Sequence, residues 1–272
     1  MLAEERLLRI AEIIKQRETG VVSVSELCQR LGVSPMTVRR DLDRLEQMAL
    51  LKRVHGGAVA QRTSDDWTPF IERSSAYSRE KGSIGRVAAF LVQDGDVVLF
   101  DAGTTTPHIA RNLAHKGRVT AITHSLPVAD ELSQIGNVST VLLGGTLRPN
   151  ERYTCGPKVM EELARLHADK FFLSAAGFTL ESGATDPDPQ EVELKRAMAA
   201  AASEVILVAD SSKWGRARGI QIVPIQAIHR LVTDDGLPQG AIHELQAAGV
   251  EVVTPALLAA RVGQGGARVP RL

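Results

Sequence analysis

Residues 23–47 read SVSELCQRLGVSPMTVRRDLDRLEQ, and this stretch decides the fold of the N-terminal part of the chain. Ser23 opens a capping-box pattern, and Gly32 is a residue type that ends a helix in a tight turn. Ser34 and Pro35 then predict the start of another helix, because serine caps free N–H groups and proline is tolerated at the first helical position. The stretch therefore predicts two short helices separated by a tight turn.

Each N-terminal helix has one apolar face. Apolar side chains recur at helical spacing over residues 4–17, in the short helix after Ser23 and over residues 35–47, namely Leu7, Ile10, Ile13, Ile14, Leu27, Leu31, Val38, Leu42 and Leu45. The face opposite Val38 and Leu42 carries Met36 together with polar and charged side chains, which are Arg40, Asp43, Arg44 and Gln47, with Arg39 on its flank. We expect the apolar faces to form a small core that leaves the arginines exposed.

The next segment, LLKRVHGGA, predicts a basic strand and a Gly-Gly turn, which together form a wing. A helix N-terminus and guanidinium groups favour phosphate oxygens, and arginine also recognises guanine edges in the major groove. A cationic helix face is common on soluble proteins, but cap, turn, helix and wing in this order favour a winged helix-turn-helix that binds DNA. The predicted DNA contacts are Ser34, Thr37, Arg39, Arg40, Arg44, Lys52, Arg53 and His55.

Beyond residue 70, apolar runs alternate with amphipathic segments, starting with a helix over about 79–92. Strands are predicted at 97–101, 119–123, 138–143, 170–174, 205–209, 220–223, 230–233 and 250–253. This alternation is typical of an α/β domain with a mainly parallel sheet covered by helices on both faces.

Ligands of such sheets bind at the carboxyl ends of the strands, where loops lead into helices. Small and polar residues follow the first three predicted strands, and these are Asp101, Gly103, Thr104, Thr105, Thr106, His124, Ser125, Gly144 and Gly145. Glycines admit a close ligand, and amides with hydroxyls hold phosphate or sugar oxygens. The three loops together predict a binding site for a phosphorylated polyol.

Two lysines are candidates for pairing with the phosphate. Lys195 lies four residues after Glu191 on a predicted helix, and Lys213 follows a strand that ends at Asp210. The i, i+4 spacing fits a surface ion pair equally well. From the residues alone, a phosphate contact and a structural salt bridge remain open for each lysine.

Composition excludes several classes of protein. The chain has 272 residues, equal numbers of cationic and anionic side chains (32 each), and 44% hydrophobic residues, which argues against a disordered chain. No apolar run reaches the roughly 18–20 residues of a membrane span, and the N-terminus has no signal-peptide pattern. The two cysteines exclude a disulfide framework and suit a reducing cytoplasm. The histidines lack metal-site spacing and no nucleophile motif is present, so we expect no metal, no cofactor and no catalytic residues.

Several of these motifs resemble the DeoR family of transcriptional regulators. The resemblance rests on VVSVSELCQRLGVSPMTVRRDLDRLEQMALLKRVHGGA at 21–58 and on DAGTTT, LLGGTLR, EVELKRAM and ADSSK in the second part. It implies a winged helix-turn-helix followed by a sensor domain that resembles ribose-5-phosphate isomerases and coenzyme A transferases, with a phosphorylated sugar as effector. By matching position it assigns ligand roles to Asp101, Gly103, Thr104, Thr105, Ser125, Gly145, Lys195 and Lys213.

The sequence departs from the family pattern at three places. Ala49 replaces a common glycine before the wing, and His124 replaces a common asparagine, which alters the expected sugar contacts. Residues 174–177 (SAAG) stand where the related isomerases have a loop bearing an aspartate. The missing carboxylate removes an obvious general base and argues against catalysis.

We therefore expect a cytoplasmic repressor of carbohydrate metabolism genes, acting as a homodimer or homotetramer on operator DNA and controlled by a phosphorylated sugar. The expected organisation is a DNA-binding domain at 1–60, a linker at 61–78, a sensor at 79–254 and a C-terminal tail at 255–272 whose last dozen residues are frayed, with coupling through 61–92. The alternatives are a sugar-phosphate isomerase or transferase with an appended DNA-binding module, and a DNA-binding protein whose second domain only oligomerises.

Overall fold

The computed structural model describes residues 3–15, 21–48, 50–54, 56–60 and 70–265. The chain divides into two compact units, which are Met1–Ala76 and Tyr77–Leu272. We call the first unit the head and the second the sensor. No helix in the described ranges is long and apolar enough to cross a membrane.

The head is a winged helix-turn-helix. Its elements are α1 (Ala3–Lys15), β1 (Val22–Ser23), α2 (Val24–Leu31), α3 (Pro35–Gln47), β2 (Leu51–Val54), β3 (Gly57–Ala60) and α4 (Phe70–Ser75). The three strands pair antiparallel in the order β1-β3-β2, so β2 and β3 form the predicted wing hairpin.

Local sequence signals form the head as expected. The hydroxyl of Ser23 accepts a hydrogen bond from the N–H of Glu26 at 3.1 Å, and Ser34 caps α3 by accepting from Thr37 at 3.2 Å. Gly32 ends α2 in the left-handed region, at φ 66°, where glycine has no steric penalty. The apolar positions predicted on α1, α2 and α3 pack in one hydrophobic core, with Ile13 at its margin.

An ion pair that the sequence did not reveal joins α1 to α3. The guanidinium of Arg6 contacts both carboxylate oxygens of Asp41, at 2.6 and 3.2 Å, and both side chains are largely buried. Asp41 lies on the inner side of α3 between the apolar positions, so it orients the helix whose outer face carries the arginines.

The sensor is an α/β domain. Its helices are α5 (Ser78–Phe90), α6 (Thr106–Ala110), α7 (Leu126–Ser133), α8 (Pro157–Leu163), α9 (Pro189–Ala200), α10 (Gln239–Ala247) and α11 (Pro255–Gly265). Its strands are β4 (Val97–Phe100), β5 (Val119–Thr123), β6 (Val138–Leu142), β7 (Thr146–Arg148), β8 (Tyr153–Cys155), β9 (Ala168–Leu173), β10 (Gly177–Thr179), β11 (Gly183–Asp186), β12 (Ala202–Val208), β13 (Ile220–Val223), β14 (Arg230–Val232) and β15 (Glu251–Val253).

A seven-stranded sheet in the order β15-β14-β12-β9-β4-β5-β6 is the centre of the sensor, and every pair in it is parallel. Alternate residues of β4 pack into different cores: Leu99 on one face, Val98 and Phe100 on the other. Both faces are therefore buried, as the continuous apolar runs predicted. Two small antiparallel groups, β10-β11-β13 and the hairpin β7-β8, complete the unit.

Two segments differ from their expected organisation. Part of the expected linker is helical: α4 occupies Phe70–Ser75 and α5 begins at Ser78. The rest of the expected linker, residues 61–69, lies outside the described ranges. The expected tail begins with α11, and its Leu258 is buried in the core on the α5 face of the sheet. The expectation of a frayed end concerns residues 261–272, of which 266–272 lie outside the described ranges.

Candidate functional site

The outer face of α3 is exposed and cationic. Arg39, Arg40 and Arg44 are all exposed, while Val38 and Leu42 on the opposite side are fully buried. Ser34 is exposed at the start of the helix, and Thr37 is half-buried with its hydroxyl 2.9 Å from that of Ser34. The predicted contact residues of α3 thus share one accessible side of the head.

The wing residues differ from one another. Lys52 is exposed on β2, whereas Arg53 is half-buried and its guanidinium is paired with the carboxylate of Asp43 on α3. His55 lies outside the described residues. Among the wing cations predicted to meet DNA, Arg53 therefore already has an anionic partner within the head.

In the sensor, the predicted loops meet at one edge of the sheet. Asp101, His124 and Leu143 each follow a strand, and β4, β5 and β6 are adjacent and parallel. Thr154 on β8 joins two of these strand ends, since its N–H donates to the carbonyl of His124 at 2.9 Å and its hydroxyl to that of Leu143 at 2.6 Å. Sequence analysis missed Thr154, because it lies on a hairpin too short to be recognised by alternation.

The polar groups of the loop 101–106 are largely buried. Thr106 is fully buried and its hydroxyl donates to the carbonyl of Asp101 at 2.7 Å, so it shapes the loop. Thr104 is half-buried and Thr105 is 5% exposed, and their hydroxyls make no hydrogen bond within the described part of the chain. Gly103 lies so close to Ser174 that a Cβ there would be 2.5 Å from the serine Cβ.

Lys195 is at the centre of a buried ion cluster. Its ammonium nitrogen lies 2.9 Å from Asp186, 3.1 Å from Glu191 and 3.4 Å from Asp101. Lys195 is 3% exposed and Asp101 is fully buried. The i, i+4 pair with Glu191 therefore exists, but it is internal and not on the surface.

The carboxylate of Asp101 is also saturated by hydrogen bonds. One oxygen accepts from the N–H of Ala102 at 2.8 Å, and the other accepts from the N–H and the hydroxyl of Ser174 at 2.9 and 2.6 Å. Ser174 belongs to the segment in which the expected aspartate is missing. There it serves as a donor that holds the aspartate of the neighbouring strand in place.

Electrostatics keep this cluster charged. Burial opposes the ammonium of Lys195, but Asp101, Asp186 and Glu191 raise its pKa well above the ordinary value. Burial also opposes the carboxylate of Asp101, yet Lys195 and the hydrogen bonds from Ser174 lower its pKa. Lys195 thus has three carboxylates within salt-bridge distance, and these hold its ammonium group in place.

His124 borders the cluster as a neutral ring. Burial lowers its pKa to about 4, and its Nε2 lies 3.9 Å from a carboxylate oxygen of Asp101. Its Nδ1 is buried and has no hydrogen-bond partner among the described residues. The ring packs edge-on against Tyr153, with 5.4 Å between the centroids.

The remaining predicted ligand residues lie at the same edge with different surroundings. Ser125 is buried and caps α7, accepting from the N–H of Val128 at 3.4 Å. Gly144 is half-buried and Gly145 is exposed after β6, and Lys213 is half-buried in the turn after β12. Lys213 is thus a second cation at this edge of the sheet.

Asp186 and Asp188 both precede α9 but have different partners. Asp188 does cap that helix, accepting from Gln190 at 2.9 Å, and it pairs with Arg148 at 2.7 Å. Asp186 instead turns inward to Lys195, a contact that local spacing does not show. No group of three or more His, Cys, Asp or Glu side chains in the described ranges is arranged to hold a metal ion.

Comparison with known proteins identifies both units. The family model of the DeoR C-terminal sensor domain matches residues 77–235, and that of the DeoR-like helix-turn-helix domain matches residues 6–64. The chain belongs to the DeoR family of transcriptional regulators. Both matches agree with the division into a winged head and an α/β sensor.

Relatives in the DeoR family cover nearly the whole chain. The HTH-type transcriptional regulator GlpR of Haloferax volcanii is 36% identical over 93% of this chain and 98% of its own length. The HTH-type transcriptional repressor GlcR of Bacillus subtilis is 35% identical over 93% and 96%. Ribose 5-phosphate isomerase A of Methanocaldococcus jannaschii is 17% identical over 51% of this chain and 55% of its own, with a TM-score of 0.38, which says nothing about the chemistry of the sensor.

The ion cluster predicts how substitution of Lys195 acts. In Lys195→Met the three carboxylates lose their common cation, so we expect the unfolding free energy of the sensor to fall by about 3–5 kcal/mol without any effector. Denaturant unfolding of the full chain measures this change. Lys158→Met, which removes an exposed lysine of α8, is the matched control and should change little. Unaltered stability with a lost effector response would instead make Lys195 a ligand residue.

Proposed function

We propose that this DeoR-family protein is a cytoplasmic repressor of carbohydrate metabolism genes that binds operator DNA through its head and a phosphorylated sugar through its sensor. The observation that carries the DNA part is the exposed arginine face of α3, which is held outward by the apolar core and by the pair between Arg6 and Asp41. A helix that presents arginines fits the major groove, where they meet guanine edges and phosphates.

The proposal includes self-association. A single winged head makes few phosphate contacts, and specific affinity in such proteins comes from two half-sites related by the symmetry of a dimer. A homodimer or homotetramer of this chain therefore fits the proposed activity. The relative GlcR is itself called a repressor, which supports the direction of control.

The variant Arg40→Ala tests the proposed docking of α3. Arg40 lies at the centre of the exposed face, so we expect operator affinity to fall by roughly tenfold to a hundredfold while the melting temperature stays the same. Gel-shift titration with a duplex that the wild-type protein selects from a random pool measures this. Arg165→Ala removes an exposed arginine of the sensor and is the control for net charge. Equal affinities of Arg40→Ala and wild type would refute the docking.

For the effector, the loops at the carboxyl edge of the sheet provide the polar lining. The hydroxyls of Thr104 and Thr105 offer hydrogen-bond partners for sugar oxygens, and Gly144 and Gly145 leave room for them. The phosphate belongs with the backbone amides of these loops and with Lys213, because the cluster around Lys195 is already rich in carboxylates. Asp101 and Lys195 then act as supports beneath the effector.

A thermal-shift panel of sugar phosphates tests this site. We expect at least one member to raise the melting temperature of the wild-type protein and to have a weaker effect on Thr104→Val, because valine removes the hydroxyl with little change of volume. The same preparation should show no aldose–ketose isomerisation of ribose 5-phosphate. Turnover that is lost in Lys195→Ala would favour the enzyme hypothesis, and an absence of any shift at millimolar concentration would favour a sensor that only oligomerises.

Coupling between effector and DNA is proposed to pass from α6 to α5. Helix α6 follows the loop 101–106 directly, and α5 is the first element of the sensor after the head. The two helices touch at Gly85, where a Cβ would lie 2.5 Å from the backbone carbonyl of His108. A shift of the effector loop therefore moves α5, and with it the chain that leads to the head.

The variant Gly85→Ala tests this contact. The added methyl forces α5 away from α6, so we expect a sugar phosphate still to stabilise the sensor but to lose most of its effect on operator affinity. Gly82→Ala on the same helix is the control, since its Cβ would have ordinary contacts of 3.9 and 4.0 Å. If Gly85→Ala responds to effector as Gly82→Ala does, the signal takes another route.

A further inference from the structure

Two carboxylates of α3 hold one residue of the wing. Asp43 accepts a hydrogen bond from the guanidinium of Arg53, and Glu46 accepts one from the backbone N–H of Arg53 at 2.8 Å. Both acids lie on the exposed part of α3, among the arginines proposed to meet DNA. The cation of the wing is therefore occupied by an anion of the recognition helix before any DNA arrives.

Glu46 and Arg53 line a groove between α3 and the wing. The groove has a volume of about 660 Å3 and is lined by Val24, Arg39, Glu46, Arg53, Val54 and Gly56. Its two guanidinium groups are suited to a DNA phosphate, which favours bidentate hydrogen bonds from arginine. The Nε of Arg53 is buried and has no hydrogen-bond partner in the described ranges. This nitrogen is therefore unsatisfied while Asp43 binds another nitrogen of the same guanidinium.

We propose that Asp43 is a specificity-determining residue of the head, because it withholds Arg53 from the phosphates of DNA of arbitrary sequence. Binding without sequence recognition depends on phosphate contacts alone, so each cation withheld weakens it. When α3 binds in the major groove of an operator, the register of the duplex is fixed. A DNA phosphate then lies next to Arg53 and displaces Asp43 from its guanidinium. Arg53 thus changes partner on operator DNA and keeps Asp43 on other DNA.

Glu46 has a different role and provides the matched control. It binds the backbone of Arg53 and not the guanidinium, so it positions the wing strand. The change Glu46→Gln removes one negative charge from the same groove, yet its amide oxygen still accepts from the N–H of Arg53. Asp43→Asn removes the same charge, and its neutral amide oxygen holds the guanidinium much more weakly than the carboxylate does, because the bond is no longer charge-assisted. Comparison of the two variants separates two effects. One is the release of Arg53 from Asp43, and the other is the loss of repulsion between a carboxylate of α3 and the DNA phosphates.

The inference rests on the proposed docking of α3, and the experiment distinguishes the two. Fluorescence anisotropy of the full chain measures the affinity for DNA at salt concentrations between about 50 and 200 mM. The decrease of log affinity with log salt in this range reports the number of phosphate contacts. The probes are a duplex of arbitrary sequence and a duplex that the wild-type protein selects from a random pool. The variants are Asp43→Asn, Glu46→Gln, Arg53→Ala and the double variant of Asp43 and Arg53, each first checked by thermal unfolding.

On the arbitrary duplex, we expect Asp43→Asn to steepen the dependence of log affinity on log salt by about 0.9, the value of one added phosphate contact. Affinity at the lowest salt should rise roughly threefold to tenfold, whereas the salt dependence on the selected duplex should not change. The ratio of specific to non-specific affinity therefore falls. Glu46→Gln should leave both slopes as in wild type, and Asp43→Asn should have no effect on slope when Arg53 is alanine.

Three results would overturn the inference. These are an unchanged slope in Asp43→Asn on the arbitrary duplex, an equal change in Glu46→Gln, and a change that persists without Arg53. Each would show that Asp43 acts only as a general negative charge or not at all. A normal operator affinity of Arg40→Ala would instead refute the docking itself, whatever Asp43→Asn does.

Discussion

The sensor depends on one buried cation. Lys195 on α9 holds Asp101 at the end of β4 and Asp186 at the end of β11, and it compensates Glu191 on its own helix. Unpaired charges at these depths would cost several kcal/mol each, so the strand ends and the helix are fixed relative to one another. The loop that follows Asp101 begins from this fixed point, and its free threonine hydroxyls are presented on a rigid base.

The head shows a different use of charge. Its inner pair between Arg6 and Asp41 is buried and orients α3, whereas its outer pair between Arg53 and Asp43 is accessible and can be exchanged for a phosphate. An exposed ion pair is worth little in water, so competition by a DNA phosphate is energetically feasible. The same residue types therefore serve stability on one side of α3 and recognition on the other.

Continuous apolar runs predicted the central strands, whereas the peripheral strands were missed. Seven of the eight expected strands lie in the parallel sheet, and the expected strand at 220–223 is β13, which pairs antiparallel with β11. The hairpin β7-β8 and the strands β10 and β11 were not predicted, since they lie outside the apolar runs of the sheet. The expected tail begins with helix α11, whose Leu258 is buried.

Sequence alone was sufficient for the winged head, the parallel sheet and the loops at its carboxyl edge, since caps, turns and apolar spacing act over a few neighbouring residues. It left open whether Lys195 contacts a phosphate or a carboxylate. It predicted that Arg53 contacts DNA, and it did not identify Asp43 as the partner of this arginine. The folded chain shows a carboxylate partner for each of these cations, because Asp186 and Asp43 reach them from other elements. The charge that a side chain meets depends on distances in space, which spacing along the chain does not record.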